Sequence, residues 1–116
     1  MVTQALREVM LAADGAGRLT GDGVSTGSAE HPVCGDRIEL DCRIEADTFV
    51  EIAWRAEGCP ATMAVVAAAP AAWTGQPIAV AEDRLRQRLH ALGGLAKTEA
   101  HALSMLLRAL REAAGS

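Results

Sequence analysis

Ile38-Glu39-Leu40-Asp41-Cys42-Arg43-Ile44 is followed by Glu45-Ala46-Asp47 and then by Thr48-Phe49-Val50-Glu51-Ile52-Ala53-Trp54-Arg55-Ala56. In the first run Ile38, Leu40, Cys42 and Ile44 alternate with Glu39, Asp41 and Arg43. A period of two lays one face of a strand on a core and turns the other to water. In the second run Val50, Ile52, Trp54 and Ala56 alternate with Glu51 and Arg55. Two such strands joined by a short polar turn predict an antiparallel hairpin, with Cys42 among its inward residues.

After Gly58 the pattern changes. Cys59 to Trp73 is rich in Ala with Met63, Val65 and Val66, and Pro60 stands where a first helical position would be. Proline suits that position because its missing N–H would have no helical partner there. A buried helix is therefore expected from Cys59, with Pro70 kinking or breaking its last turn. Leu85, Leu89 and Leu92, then Leu103, Leu106, Leu107 and Leu110, recur at helical spacing and predict two more helices, 83–92 and 98–114, separated by Gly93-Gly94. Upstream, Val2, Ala5, Leu6, Val9, Met10 and Ala13 mark a short amphipathic helix. Asp14 to Ser28 mixes glycine with Asp, Ser and Thr and reads as turns and irregular strand. Gly15-Ala16-Gly17 follows a helix and not a strand, which argues against a dinucleotide-binding loop. Strands first and helices afterwards imply an α+β fold, a small antiparallel sheet covered by helices on one face.

At 116 residues the chain is expected to form a single domain spanning 1–116. Its 11 basic residues against 15 acidic ones leave no positive surface for phosphate backbones or anionic lipid. One Phe, two Trp and no Tyr supply few platforms for base stacking. The longest apolar run, Met63 to Trp73, contains Pro70 and is about half the ~20 residues a membrane span needs. Arg7 and Glu8 interrupt the N-terminal apolar positions, unlike a secretory signal. A cytoplasmic protein with no nucleic-acid or membrane partner is expected, and its three cysteines are read as free thiols or metal ligands.

Two cysteines sit where backbone geometry favours reactivity. Cys34 lies in the turn Pro32-Val33-Cys34-Gly35-Asp36, and Cys59 is the residue before a helix, where unpaired N–H groups and the dipole stabilise a thiolate. Cys34 precedes the first hairpin strand and Cys59 follows the second, which places both at the same end of the sheet. Packing alone is the competing account of each thiol, and it is the account given to Cys42. Asp36 in its turn equally suits a cap on local N–H groups. His101, among Ala100, Ala102 and Leu103, suits the boundary of a helix. His31 reads as a solvated loop residue, and His90 lies on the charged face of Arg84, Arg86 and Arg88. No nucleophile–base–acid triad or carboxylate pair stands out, so a turnover enzyme is not expected.

From about Gly17 to Glu112 the sequence resembles the IscU/NifU-type family of iron–sulfur cluster assembly scaffolds. The resemblance is carried by Pro32-Val33-Cys34-Gly35-Asp36 ahead of a strand, Gly58-Cys59 opening a helix, and the closing Leu- and Ala-rich helix. It implies a SufE/NifU-like architecture with a metal site at one end of the sheet, formed by Cys34, Asp36, Cys59 and His101. The family's third cysteine falls on Ala102, and a shift of register puts Leu103 or Ser104 there, so this chain reads as a divergent member lacking that ligand. The family's Leu-Pro-Pro-Val-Lys segment is replaced by Leu92-Gly93-Gly94-Leu95-Ala96-Lys97, and Pro60-Ala61-Thr62-Met63 is bulkier and drier than the small polar residues usual after the second cysteine.

Two thiolates, a carboxylate and an imidazole suit either zinc or a [2Fe–2S] cluster. Asp36, as a hard and exchangeable ligand, would keep the site labile. The resemblance implies a scaffold-like role with a cysteine desulfurase and Fe–S acceptor proteins as partners. Two alternatives are a zinc-binding adaptor that builds no cluster and a sulfur carrier taking persulfide at Cys59. A shared ion requires the sulfurs of Cys34 and Cys59 to lie within ~5 Å.

Overall fold

The computed structural model describes residues 2–115. Helix α1 (Gln4–Ala12) precedes three strands, β1 (Val24–His31), β2 (Asp36–Glu45) and β3 (Thr48–Glu57). Helices α2 (Pro60–Trp73), α3 (Ala81–Ala91) and α4 (Ala100–Ala113) follow, with single 3-10 turns at Ile78–Val80 and Lys97–Glu99. The strands form an antiparallel sheet in the order β1-β2-β3. The α+β architecture and the central hairpin are those expected from the alternation.

The hairpin turn is tighter than the three residues expected. Glu45 pairs with Thr48, and Ala46 and Asp47 between them have φ of 50° and 59°. Positive φ at both central residues lets a two-residue loop follow the right-handed twist of its strands. Two residues on, the register shifts: Arg43 pairs with Glu51 and Ile44 with Phe49, which leaves Val50 as an extra residue. This bulge reverses the phase of β3 there. Phe49, not the expected Val50, enters the core and stacks on Trp73 with ring centroids 5.4 Å apart, while Val50 is exposed. Periodicity counted along one strand cannot register an insertion that is defined only against the partner strand.

The glycine-rich segment is also more regular than its composition implies. From Val24 to His31 it is a strand paired residue for residue with β2. Gly27 on this strand is where α4 approaches. A Cβ there would overlap the Ala109 carbonyl oxygen and stand 2.6 Å from the Ala113 nitrogen. Glycine, a weak strand former, is required because helix backbone lies directly on strand backbone. Upstream, residues 14–23 run along the free edge of β3 and over the outer face. The Trp54 N–H donates to the Gly15 carbonyl and the Gly17 N–H to that of Trp54, each at 2.9 Å.

Helix α2 is apolar on all sides because it is enclosed by β3, α1, α3 and α4. Of the kink or break expected at Pro70, the break does not occur: the helix runs on to Trp73. Trp73, fully buried against Phe49 with its indole N–H donating to the Ala81 carbonyl, anchors the last turn beyond the proline. Helix α4 lies across β1 and β2. No helix of the described residues is long and apolar enough to cross a membrane.

The outer face of the sheet holds a buried carboxylate, Asp41. It accepts from the Thr26 hydroxyl (2.8 Å), the Leu19 N–H (3.0 Å) and the Arg55 guanidinium (3.0 Å). Burial opposes its ionisation, but these donors, Arg55 foremost, hold its pKa below the ordinary value. With the folded pKa below the unfolded one, the ionised group contributes stability that is present above about pH 4 and lost as pH falls through the folded value. Asp41→Asn should therefore cost stability at neutral pH, and the difference from wild type should shrink in acid-titrated denaturant unfolding below about pH 4.

Gly27→Ala should destabilise the fold by about 3 kcal/mol in denaturant unfolding, the upper part of the overpacking range, because backbone atoms cannot move aside as a side chain can. Cys42 is fully buried, and burial with the adjacent Asp41 charge pushes its thiol up to about 12. Cys42→Val should cost less than ~1.5 kcal/mol. In the native protein the exposed Cys34 should react with a thiol reagent while Cys42 reacts only after unfolding.

Candidate metal centre

Asp36 is the first residue of β2, and Cys59 caps the N-terminus of α2 two residues after β3 ends. The antiparallel pairing of β2 and β3 brings these two points to the same end of the sheet, as their order in the sequence implies. Asp36 is buried at 2% exposure. Its Oδ1 accepts the Cys59 backbone N–H at 3.3 Å, so a carboxylate occupies the positive end of the fourteen-residue helix α2. Its Oδ2 accepts the Thr62 hydroxyl at 2.7 Å and the Cys59 thiol at 3.2 Å, and lies 3.2 Å from His101 Nε2. Burial raises the Asp36 pKa, but these hydrogen bonds outweigh it and hold the carboxyl below its ordinary value. The group is therefore anionic at neutral pH, the form a metal requires.

Gly58 makes the approach possible. Its φ is 147°, and a Cβ there would meet the Asp36 carboxyl at 2.5 Å. The Gly58-Cys59 pair thus combines a backbone without a side chain beside Asp36 with a thiol aimed at it.

His101 comes from the first turn of α4. Its Nδ1 lies 3.2 Å from the Thr98 carbonyl, which can only accept, so Nδ1 carries a proton and Nε2 faces the site. In the neutral ring the Nε2 lone pair is a ligand, and a backbone carbonyl on the other nitrogen is the usual way a metal-binding imidazole is held. The turn before it is fixed by the Glu99 carboxylate, which accepts the Ala96 N–H at 2.9 Å. Nε2 lies 3.6 Å from Cys59 Sγ. One ligand atom each from Asp36, Cys59 and His101 lies within 4.8 Å of the other two.

Cys34 stands apart from this set. It is exposed on the β1–β2 turn and lines, with Cys59, Pro60, His101, Met10 and Leu11, a cleft of about 770 Å³. The structure thus brings together three of the four residues expected at the site and leaves Cys34 at its rim. The position of the missing third cysteine, Ala102, is buried and offers no donor.

Two neighbours were not legible as site residues. Thr62, read as part of a dry segment, is fully buried and makes the shortest hydrogen bond to Asp36. A threonine three residues after Cys59 shares its helix face, and that spacing was the available signal. His31, read as a solvated loop residue, is half-buried. Its Nδ1 accepts the Cys34 N–H at 3.3 Å and its ring tilts against His101 with centroids 5.0 Å apart. Only the closure of β1 and α4 on the same end of the sheet brings those two rings together.

Solved structures share this architecture. An iron–sulfur cluster assembly scaffold protein for the SUF system from the thermophile Fervidobacterium islandicum, as that protein is described, superposes with a TM-score of 0.74 at 12% identity, covering 98% of this chain and 94% of its own. The N-terminal part of a nitrogen-fixing NifU-like protein from Brucella abortus gives 0.69 at 11% identity, with the same coverage. Among curated proteins no sequence matches. At such identities the likeness speaks for the fold. The sequence itself matches the NifU-like N terminal domain over residues 4–116, nearly its whole length, and the chain belongs to that family.

Proposed function

We propose that this protein is a scaffold of iron–sulfur cluster assembly that holds a labile centre at Asp36, Cys59 and His101 and passes it on. Membership of the NifU-like family supports the general role. The observation that carries the site is the convergence of a thiol, an imidazole nitrogen and an anionic carboxylate within 4.8 Å at the mouth of a cleft. Cys34, on the exposed rim of that cleft, is the fourth ligand. The cargo is a nascent [2Fe–2S] cluster built with sulfur from a cysteine desulfurase and delivered to cytoplasmic acceptor apoproteins. The protein performs no turnover of its own.

The hydrogen bonding of the site favours release. The Cys59 thiol donates to Asp36, so two of the groups that would bind the cargo satisfy each other once it departs. Because an unpaired buried polar group costs about 1–3 kcal/mol, this internal pairing shifts the equilibrium toward unloading.

A second reading is favoured by the donor set. Only one thiolate lies among the three convergent ligands, and sulfur, nitrogen and oxygen together suit zinc better than a cluster held mainly by thiolates. In that case the protein is a zinc-binding adaptor of the assembly machinery.

Anaerobic reconstitution with ferrous iron and sulfide separates the two. Charge-transfer absorption with matched iron and sulfide, lost in Cys59→Ala, supports the scaffold. Tight stoichiometric zinc with no cluster supports the adaptor. On the reconstituted protein Asp36→Ala should slow transfer to an acceptor, because the empty state has lost its internal partner. The same substitution should cost stability of about 1–3 kcal/mol through the unpaired Thr62 hydroxyl and Cys59 N–H. Unchanged transfer kinetics would remove Asp36 from the release step.

A further inference from the structure

We infer that Thr62 is the residue that positions Asp36 as a one-oxygen ligand, an assignment that rests on the metal site proposed above. Four donors or contacts reach the carboxylate, and they differ in what a bound ion does to them. The Cys59 thiol and His101 Nε2 are themselves ligands, so an ion taking them removes both from Oδ2. The Cys59 backbone N–H on Oδ1 and the Thr62 hydroxyl on Oδ2 are not ligands and remain. Thr62 is fully buried on the first turn of α2, and its 2.7 Å bond is the shortest the carboxylate makes.

An ionised carboxylate oxygen offers two lone pairs. With Thr62 on one lone pair of Oδ2, a single one remains toward the side where Cys59 Sγ and His101 Nε2 lie. Oδ1 is meanwhile turned to the helix N-terminus by the Cys59 N–H. The carboxylate therefore meets the ion through one oxygen, which keeps the coordination number low and leaves room for the ligand that Cys34 supplies. Without the hydroxyl, Asp36 is held by one backbone donor alone, and it can rotate to present both oxygens. The Cys59 thiol also lies 3.5 Å from the Thr62 hydroxyl, so the same group bounds the sulfur's position.

Thr62→Val keeps the shape and removes the donor, and Thr62→Ser keeps the donor and removes the methyl. Zinc affinity is measured by chelator competition on the full chain, and cobalt(II) is used as a visible probe of coordination. Thermal unfolding of the metal-free proteins runs in parallel. Thr62→Val should bind zinc about 10- to 100-fold more weakly, the usual effect of losing a partner that orients a ligand. Its cobalt bands should weaken as both carboxylate oxygens enter, and Thr62→Ser should restore affinity and spectrum. If Thr62→Val does not fold, Thr62→Ala takes its place. Wild-type affinity and spectrum in the folded variant without the hydroxyl would overturn the inference, leaving Thr62 a purely structural residue. So would a serine variant that fails to restore them. A wild-type protein that takes up neither zinc nor cobalt would instead overturn the proposed metal site, and this inference with it.

Discussion

The Asp36 carboxylate ties three parts of the molecule to one point. It begins β2, accepts the N–H and thiol of the residue that caps α2, accepts the Thr62 hydroxyl from that helix's first turn, and faces His101 at the start of α4. A buried anion is tolerable only when its lone pairs are satisfied. Here the donors that satisfy it are themselves the ligand set or its supports. Stability of the fold at this end of the sheet and readiness of the site therefore depend on the same hydrogen bonds. Gly58 is the steric condition for all of them, since any side chain there would occupy the carboxylate's place.

A second buried carboxylate marks the opposite face of the sheet, and the contrast is instructive. Asp41 is balanced by a permanent cation, Arg55, and by Thr26 and the Leu19 N–H. None of these partners is a metal ligand. Asp36 has no guanidinium. Its partners are a thiol, an imidazole and a hydroxyl beside a cleft, groups that can give way to an ion. Equal burial thus produces a structural clasp in one place and an exchangeable site in the other, according to whether the counter-charge is built in.

Helix α4 sets the remaining geometry. Its backbone rests on β1 at Gly27, and the 3-10 turn before it holds the Thr98 carbonyl against His101 Nδ1. The imidazole is aimed at Asp36 and Cys59 because the helix that carries it cannot shift along the strand without colliding with it. The Cys34 turn is exposed, and its Cys34 and Gly35 N–H groups donate to His31.

Much of this was legible in the chain itself. The alternation through Ile38–Ile44 and Ile52–Ala56, the switch at Gly58-Cys59-Pro60 and the leucine spacing near the C-terminus are local signals, and local physics determines a hairpin followed by helices. The order of Cys34, Asp36 and Cys59 around that hairpin places them at one end of the sheet for the same reason. Other features are relations between distant segments and exist only once the chain has closed. The bulge that exchanges Val50 for Phe49 is defined against β2. The regularity of β1 comes from its partner strand and from α4 lying on Gly27. The last turn of α2 survives Pro70 because Trp73 is held by Phe49 and Ala81. Thr62 and His31 join the site because α2, α4 and β1 end at the same place. Sequence determined which elements form and which residues could supply donors. Tertiary structure decided which donors meet, because convergence to within 4.8 Å is a property of packed helices and paired strands and of no single stretch of chain.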